Sequence, residues 1–176
     1  MSLVDIFRRK WKHSDPRKRA EAVRDMGPAD LARLVHIARE DADEGVRELA
    51  VKKITSPEAL IELADDAEDG ALADLAVQRA GELLVTVAVR DDQPGDALSA
   101  VERIRDTSAL VDVAIRAPLE EVRSVALGRI DDDRALADVA RGAKREETQC
   151  GAVERIRDPG VLRALALEGG RRVVAL

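Results

Sequence analysis

A seven-residue segment occurs twice in this chain. The letters AVERIRD run from Ala100 to Asp106 and again from Ala152 to Asp158. Aligning the chain on the first Ala of this segment gives a series of alanines at nearly even intervals. The series is Ala22, Ala50, Ala76, Ala100, Ala126, Ala152 and Ala175. A period of about 26 residues indicates an array of supersecondary units, so the repeat restricts the architecture more than any other feature.

One unit can be followed at residues 43–64, DEGVRELAVKKITSPEALIELA. Val46, Ala50 and Ile54 fall on one stripe at helical spacing, which predicts a first helix. Ser56 before Pro57 then predicts the N-cap and first turn of a second helix. Similar starts recur at Asp132 or Asp133 and at Asp158 before Pro159. The repeated unit is therefore a helical hairpin.

Each hairpin is too short to bury its own stripe, so its neighbours must supply the core. We predict an all-α solenoid, about six hairpins of about 26 residues plus a partial seventh, in one domain over residues 1–176. Its segments are a basic and apolar cap at 1–13, repeats at 14–40, 41–66, 67–90, 91–116, 117–142 and 143–168, and the partial repeat at 169–176.

Two places break the pattern. Residues 71–90 contain no Pro and Gly81 as their one Gly, which predicts either a nearly continuous helix or a cramped hairpin turning at Gly81. We interpret this irregularity as a change in curvature. GGRRVVAL at 169–176 begins a seventh first helix without its second, which indicates a truncated chain, a missing downstream domain or a frayed end.

Composition supports a helical core and a cytoplasmic location. The chain is 45 % hydrophobic with no Tyr, one Phe and one Trp, so the core must be aliphatic. The single cysteine, Cys150, excludes an internal disulfide and suits a reducing compartment. No apolar run reaches the roughly 18 residues of a membrane span.

The repeats resemble a known family. The D-x-x-V-R-x-x-A-V pattern at 43–51, followed by a short second helix, is similar to HEAT-like repeats, including those of the phycobilisome-lyase type. FRRKWKHSDPRKRAEAV at 7–23 resembles the N-terminus of bacterial HEAT-like proteins with a downstream coiled-coil domain of unknown function. The resemblance implies a right-handed α–α superhelix whose second helices line the concave face.

A row of positions on the second helices is a candidate partner surface. These positions lie two residues before the closing Ala, about 200° around the helix from the apolar Leu positions, and so face water. They are His36, Glu62, Thr86, Asp112 and Asp138. The row forms part of an acidic stripe, or it is an ordinary solvated face.

The N-terminal cations form a second candidate site, for anions or nucleic acid. They are Arg8, Arg9, Lys10, Lys12, Arg17, Lys18 and Arg19, interleaved with Phe7 and Trp11. Phosphates attract such a cluster. The alternative is an apolar cap over the first hairpin with its charges turned outward.

Two further rows on the first helices are predicted to be structural. Arg19, Arg47, Arg123 and Arg172 each follow an acid by three or four residues, at Asp15, Asp43, Glu120 and Glu168, which predicts ion pairs within the helix. Lys53, Arg79, Arg103, Arg129 and Arg155 occupy the last turn, where a cation complements the helix dipole.

The sequence contains no arrangement of residues that predicts catalysis or metal binding. The sequence has two histidines and no zinc-type spacing, EF-hand or phosphate loop, and it predicts Cys150 as a partly buried, inert thiol. We therefore expect no catalytic residue, metal or cofactor, and a scaffold that binds a basic segment of a partner protein. The alternatives are nucleic-acid binding, since some HEAT-like proteins are DNA glycosylases, and a lyase-like role in cofactor attachment.

Overall fold

A computed structural model describes the chain at residues 10–90 and 93–174, with side chains up to residue 168. These residues form eleven α-helices and one 3-10 helix and contain no β-strand. The helices are α1 Pro16–Asp25, α2 Leu31–Glu40, α3 Glu44–Lys53, α4 Pro57–Asp66, α5 Gly70–Ala88, α6 Pro94–Arg103, α7 Thr107–Arg116, α8 Glu120–Gly128, α9 Asp133–Gly142, α10 Glu146–Arg155 and α11 Pro159–Val174. The predicted all-α class is confirmed.

The chain divides into two compact units, Met1–Leu83 and Leu84–Leu176, which we call unit 1 and unit 2. The single domain over 1–176 stays a prediction. In unit 1, α2 packs on both α3 and α4, and α1 packs on α3. First helices therefore contact first helices, and second helices contact second helices, one hairpin further along the chain.

The core of unit 1 is aliphatic, as expected. Leu34, Ile54, Leu60 and Leu63 are almost fully buried in it, and Trp11 packs against its edge. Burial of side chains of this size contributes about 1.5–3 kcal/mol each. The predicted apolar cap is thus supported at Trp11, whereas Leu3, Val4, Ile6 and Phe7 lie outside the described residues.

Unit 2 repeats the same packing scheme. Its first helices α6, α8 and α10 contact in sequence, as do its second helices α7, α9 and α11. Ile104, Ile130 and Leu136 are buried in its core. The second helices approach closely, because a Cβ on Gly142 of α9 would lie 2.8 Å from Cδ1 of Ile115 of α7.

The predicted caps of the second helices are confirmed. Ser56 Oγ accepts the N–H of Ala59 at 3.3 Å, and an Asp158 carboxylate oxygen accepts that of Gly160 at 2.6 Å. Between the two candidates at 132 and 133, Asp132 is the cap, accepting from the N–H of Ala135 at 2.7 Å. The neighbouring carboxylate of Asp133 instead accepts the N–H of Asp158, one hairpin further on, at 2.7 Å.

The third repeat contains no hairpin. Gly70–Ala88 is one helix, so the continuous alternative is correct and the turn at Gly81 is wrong. No Pro and no capping side chain stands near Gly81 to end a helix there.

The last described residues also differ from expectation. Residues 169–174 continue α11 and do not begin a seventh first helix. Glu168 and the Gly169–Gly170 pair supply neither an N-cap side chain nor a proline to start one. Over the described ranges, no helix combines the length and the hydropathy required to cross a bilayer.

Candidate functional site

The row on the second helices lies at the surface. His36, Glu62, Thr86, Asp112 and Asp138 are all exposed, but Thr86 lies on the continuous helix α5 and not on a second helix. In unit 1, Glu62 lies on α4 with 72 % of its side chain exposed, 3.6 Å from the guanidinium of Arg39 on α2. Arg39 also binds Asp66 at 2.8 Å. The carboxylates of α4 are therefore partly neutralised by the preceding second helix.

In unit 2 the corresponding acids pair with arginines of their own helices. Asp112 pairs with Arg116 at 3.0 Å on α7, and Asp138 pairs with Arg141 at 2.8 Å on α9. Arg141 reaches on to Glu168 of α11 at 2.7 Å, and the hydrogen bond to Glu168 raises the pKa of Arg141. Within each unit, the exposed carboxylates of the second helices are therefore paired with arginines, and these arginines were missed by the sequence analysis.

His36 has a different environment from the acids. Its ring meets that of Trp11 edge to face, with the centroids 5.8 Å apart. Lys12 and Arg33 lie over the same indole, at 4.8 and 5.9 Å from its centroid. The position at the start of the row is thus occupied by an aromatic and cationic cluster that involves the N-terminal segment.

The described members of the N-terminal cation set have different surroundings. Lys12 faces Trp11, and Lys18 Nζ lies 3.4 Å from Nε2 of His13. The Arg17 side chain has no partner among the described residues. Lys10 is exposed, and Arg8 and Arg9 lie outside the described residues.

Arg19 is engaged within unit 1. Its guanidinium binds Asp41 at 2.7 and 2.8 Å, with the two side chains only 13 % and 6 % exposed, and donates to the carbonyls of His13 and Ser14. The hydrogen bond to Asp41 raises the pKa of Arg19. Burial opposes ionisation of Asp41, but the hydrogen bonds from Arg19 and from the backbone of Asp43 outweigh it and hold the pKa of Asp41 below its usual range.

The matching arginines repeat this contact. Arg47 donates to the carbonyl of Asp41 at 3.0 Å and pairs with Asp69 of the next repeat at 3.4 Å. Arg123 donates to the carbonyls of Ala117 and Pro118 at 3.0 and 2.7 Å. Each arginine thus binds the loop before its own helix, and Arg19 and Arg47 also bind an acid of the next repeat.

The predicted ion pairs within the helix are wrong for Arg19, Arg47 and Arg123. Asp15 and Asp43 instead cap their helices, accepting the N–H of Arg17 at 2.9 Å and of Val46 at 3.0 Å. A helical side chain points toward the N-terminus, so the guanidinium extends past the cap to the loop. Arg172 lies outside the described side chains.

Arg123 is the buried member of this set, with 4 % of its surface exposed. Its Nε lies 3.3 Å from the hydroxyl of Thr148, and no carboxylate is within ion-pairing distance among the described residues. Burial lowers the pKa of Arg123, and the nearby charge of Arg145 lowers it further.

Cations near the ends of the first helices donate hydrogen bonds to backbone carbonyls of the preceding hairpin. Lys53 Nζ donates to the carbonyl of Arg24 at 2.9 Å, and Arg155 to that of Ile130 at 3.0 Å. Arg129 donates to the carbonyl of Val101. These contacts support the structural interpretation for Lys53, Arg129 and Arg155, because each satisfies carbonyls near a helix end. The predicted last-turn position is wrong for Arg79, which lies inside α5 and pairs with Glu82 at 2.7 Å.

One prediction about chemistry is wrong. Cys150 is exposed, not partly buried. Thr148 and Ala152 of α10 are buried, and Cys150 between them lies on the opposite side of the helix. No group of three or more His, Cys, Asp or Glu side chains suited to a metal occurs within the described part of the chain.

Comparison with known proteins gives no match. No protein-family model matches this chain, and neither a curated protein nor a solved structure matches it.

Proposed function

We propose that this chain is a non-enzymatic scaffold that binds a basic segment of a partner protein on the exposed faces of its second helices. The observation that supports it is the exposure of Glu62, Asp112 and Asp138 at matching positions, each beside an arginine. Exposed ion pairs contribute only about 0.2–1 kcal/mol, so a partner's Lys or Arg can replace an internal arginine at little cost.

Helix α4 carries the strongest acidic character of this surface. Its sequence, PEALIELADD, has four carboxylates and no Lys or Arg. Arg39 of α2 approaches Glu62 and Asp66 of this helix. A basic segment would therefore gain most at α4.

A triple charge reversal tests the binding proposal. Glu62→Lys, Asp112→Lys and Asp138→Lys together should abolish retention of the partner when immobilised protein is exposed to a native-source lysate treated with nuclease. The matched control is Glu44→Lys, Glu121→Lys and Glu154→Lys, which makes the same charge change at exposed positions of α3, α8 and α10. Mass spectrometry identifies the retained proteins.

Three outcomes are informative. Retention by the wild type and the control, with loss in the triple variant, supports the second-helix surface. Equal retention by all three proteins makes the acidic row an ordinary solvated face. Loss of all retained material on nuclease treatment indicates nucleic acid and returns attention to the N-terminal cations.

We also propose that the hairpins form a right-handed, HEAT-like superhelix. Its support is the packing of first helix on first helix and second on second within each unit. Small-angle X-ray scattering tests it, because a compact domain of this length has a radius of gyration of about 16 Å and an open superhelix is more extended. A measured value at or below that figure would exclude the superhelix.

A further inference from the structure

A groove runs between α1 and α3, the first helices of the two hairpins in unit 1. Its volume is about 660 Å³. Ala20 and Leu49, both half-buried, form an apolar floor above the buried Val46, and Arg17, Glu21 and Arg24 of α1 line one wall. Asp43 also lines the groove, where its carboxylate accepts the N–H of Val46 at 3.0 Å. Lys52 of α3 stands on the opposite wall, paired with Glu48 at 3.1 Å. The groove uses first helices, so it is separate from the second-helix surface.

The charges on the α1 wall are unusual within this unit. The other five arginines described in unit 1 each pair with a carboxylate, as Arg19–Asp41, Arg33–Asp30, Arg39–Asp66, Arg47–Asp69 and Arg79–Glu82. Arg17, Glu21 and Arg24 are exposed, and none of the three has an ion pair among the described residues.

Spacing gives this wall a definite pattern. Arg17, Glu21 and Arg24 are four and then three residues apart, which places them on one face of α1 in the order positive, negative, positive. The backbone positions of Arg17 and Arg24 are seven residues apart, about 10 Å along the helix axis. A complementary ligand presents two carboxylates at that separation with a donor between them.

We propose that this groove binds an acidic, amphipathic segment of another protein. Its carboxylates pair with Arg17 and Arg24, a Lys, Arg or amide donor meets Glu21, and apolar side chains cover Ala20 and Leu49. This resembles the docking of an amphipathic helix into a groove between two helices. The proposal does not depend on the second-helix surface, since that surface selects a partner of the opposite charge.

Segments of this chain fit the groove less well. Residues 1–9 carry Arg8 and Arg9 against the single acid Asp5, so their net charge has the wrong sign. The acidic stretch at 58–69 of a second copy has the right sign, but its Leu60 and Leu63 are fully buried in its own core. That stretch cannot supply apolar side chains to a groove without unfolding.

The test selects peptides on the folded protein. A phage-displayed library of random 16-residue peptides is panned against the wild type, and the enriched peptides are measured by fluorescence anisotropy. The binding variant is Arg17→Glu with Arg24→Glu. The matched control, Arg134→Glu with Arg163→Glu, makes the same charge change at exposed arginines of unit 2. Far-ultraviolet circular dichroism checks that each variant remains helical.

We expect enriched peptides that carry two acids six to eight residues apart with apolar residues beside them. Their binding should be at least tenfold weaker to the Arg17→Glu/Arg24→Glu variant, intermediate with Arg17→Gln/Arg24→Gln, and unchanged in the control. The Glu62, Asp112 and Asp138 triple variant should also bind them normally, which keeps this result separate from the scaffold proposal.

Three results would overturn the proposal. One is the absence of any enrichment, and another is enrichment of peptides that bind the reversed and wild-type proteins equally. The third is a dimer in sedimentation experiments that the Arg17→Glu/Arg24→Glu change dissociates, because the occupant would then be a second copy.

Discussion

The two units use the same hairpin but cap their first helices differently. In unit 1, the first helix of each repeat begins after an aspartate that accepts backbone N–H bonds, at Asp15, Asp43 and Asp69. In unit 2, the corresponding residues are Gln93, Leu119 and Arg145, and none makes a side-chain cap. The repeat therefore tolerates loss of a cap, which contributes about 1 kcal/mol.

The partners of the arginine that lies between two repeats also differ between the two units. Asp69 in unit 1 both caps α5 and pairs with Arg47. At the matching position of unit 2 stands Arg145, and the nearby Arg123 has carbonyls and the Thr148 hydroxyl in place of a carboxylate. Asp69 thus provides both a helix cap and an ion pair, and the arginine at the matching position of unit 2 provides neither. The backbone packing survives because the aliphatic core is common to both units.

The largest expected losses of stability come from core substitutions, which test whether the cores of the two units are equally well packed. Ile54 and Ile130 follow the first helices α3 and α8, and both are fully buried. Ile54→Ala and Ile130→Ala should each lower the free energy of unfolding by about 2–5 kcal/mol through lost burial and a cavity. Chemical denaturation measures both. Costs that differ by more than about 1.5 kcal/mol would show that the units differ in core packing as well as in polar contacts.

The next test compares the arginine contacts directly. Asp41→Asn leaves Arg19 without its carboxylate and should cost about 1–3 kcal/mol. Thr148→Val removes the hydroxyl from Arg123, which keeps its two carbonyl partners, and should cost less than about 1 kcal/mol. Denaturation of both variants beside the wild type decides the order. A larger cost for Thr148→Val would reverse the comparison.

A substitution that transfers the unit 1 pattern to unit 2 should stabilise it. Arg145→Asp supplies α10 with a cap, removes a positive charge near Arg123 and places a carboxylate in its vicinity. We expect a gain of about 1 kcal/mol. The control is Lys144→Asp, which makes the same charge change one residue earlier at an exposed site. Equal melting temperatures for the two variants would contradict the capping argument.

The smallest effect concerns pH. Asp41 has a folded-state pKa below its ordinary value of 3.8, so its contribution is present above that value and is lost as pH falls through the folded pKa. Between pH 5 and 4 the loss is a fraction of a kcal/mol. Asp41→Asn should make the decline in wild-type stability below pH 5 shallower. Identical pH profiles for both proteins would show that the pair with Arg19 is not ionic in solution.

Much of the candidate surface could be predicted from the sequence, but its electrostatics could not. The exposure of Glu62, Asp112 and Asp138 follows from their position relative to the buried leucines of the same helices, which helical geometry fixes. Their arginines were missed in part because Arg39 lies on the second helix of the previous hairpin, and no local spacing relates it to Glu62. The groove was also missed, since it requires α1 and α3 to be placed side by side.

The sequence by itself determined the hairpins outside the third repeat, their order and the caps of the second helices. Ser56 and Asp158 cap the next turn and the buried isoleucines close the first helices, and both effects act over a few residues. Only the tertiary structure decided which acid each arginine binds. Arg19 binds Asp41 at the end of α2 and does not bind Asp15 at the start of its own helix. The carboxylate of Asp15 is occupied in capping, and the packing of the next hairpin brings Asp41 close to Arg19.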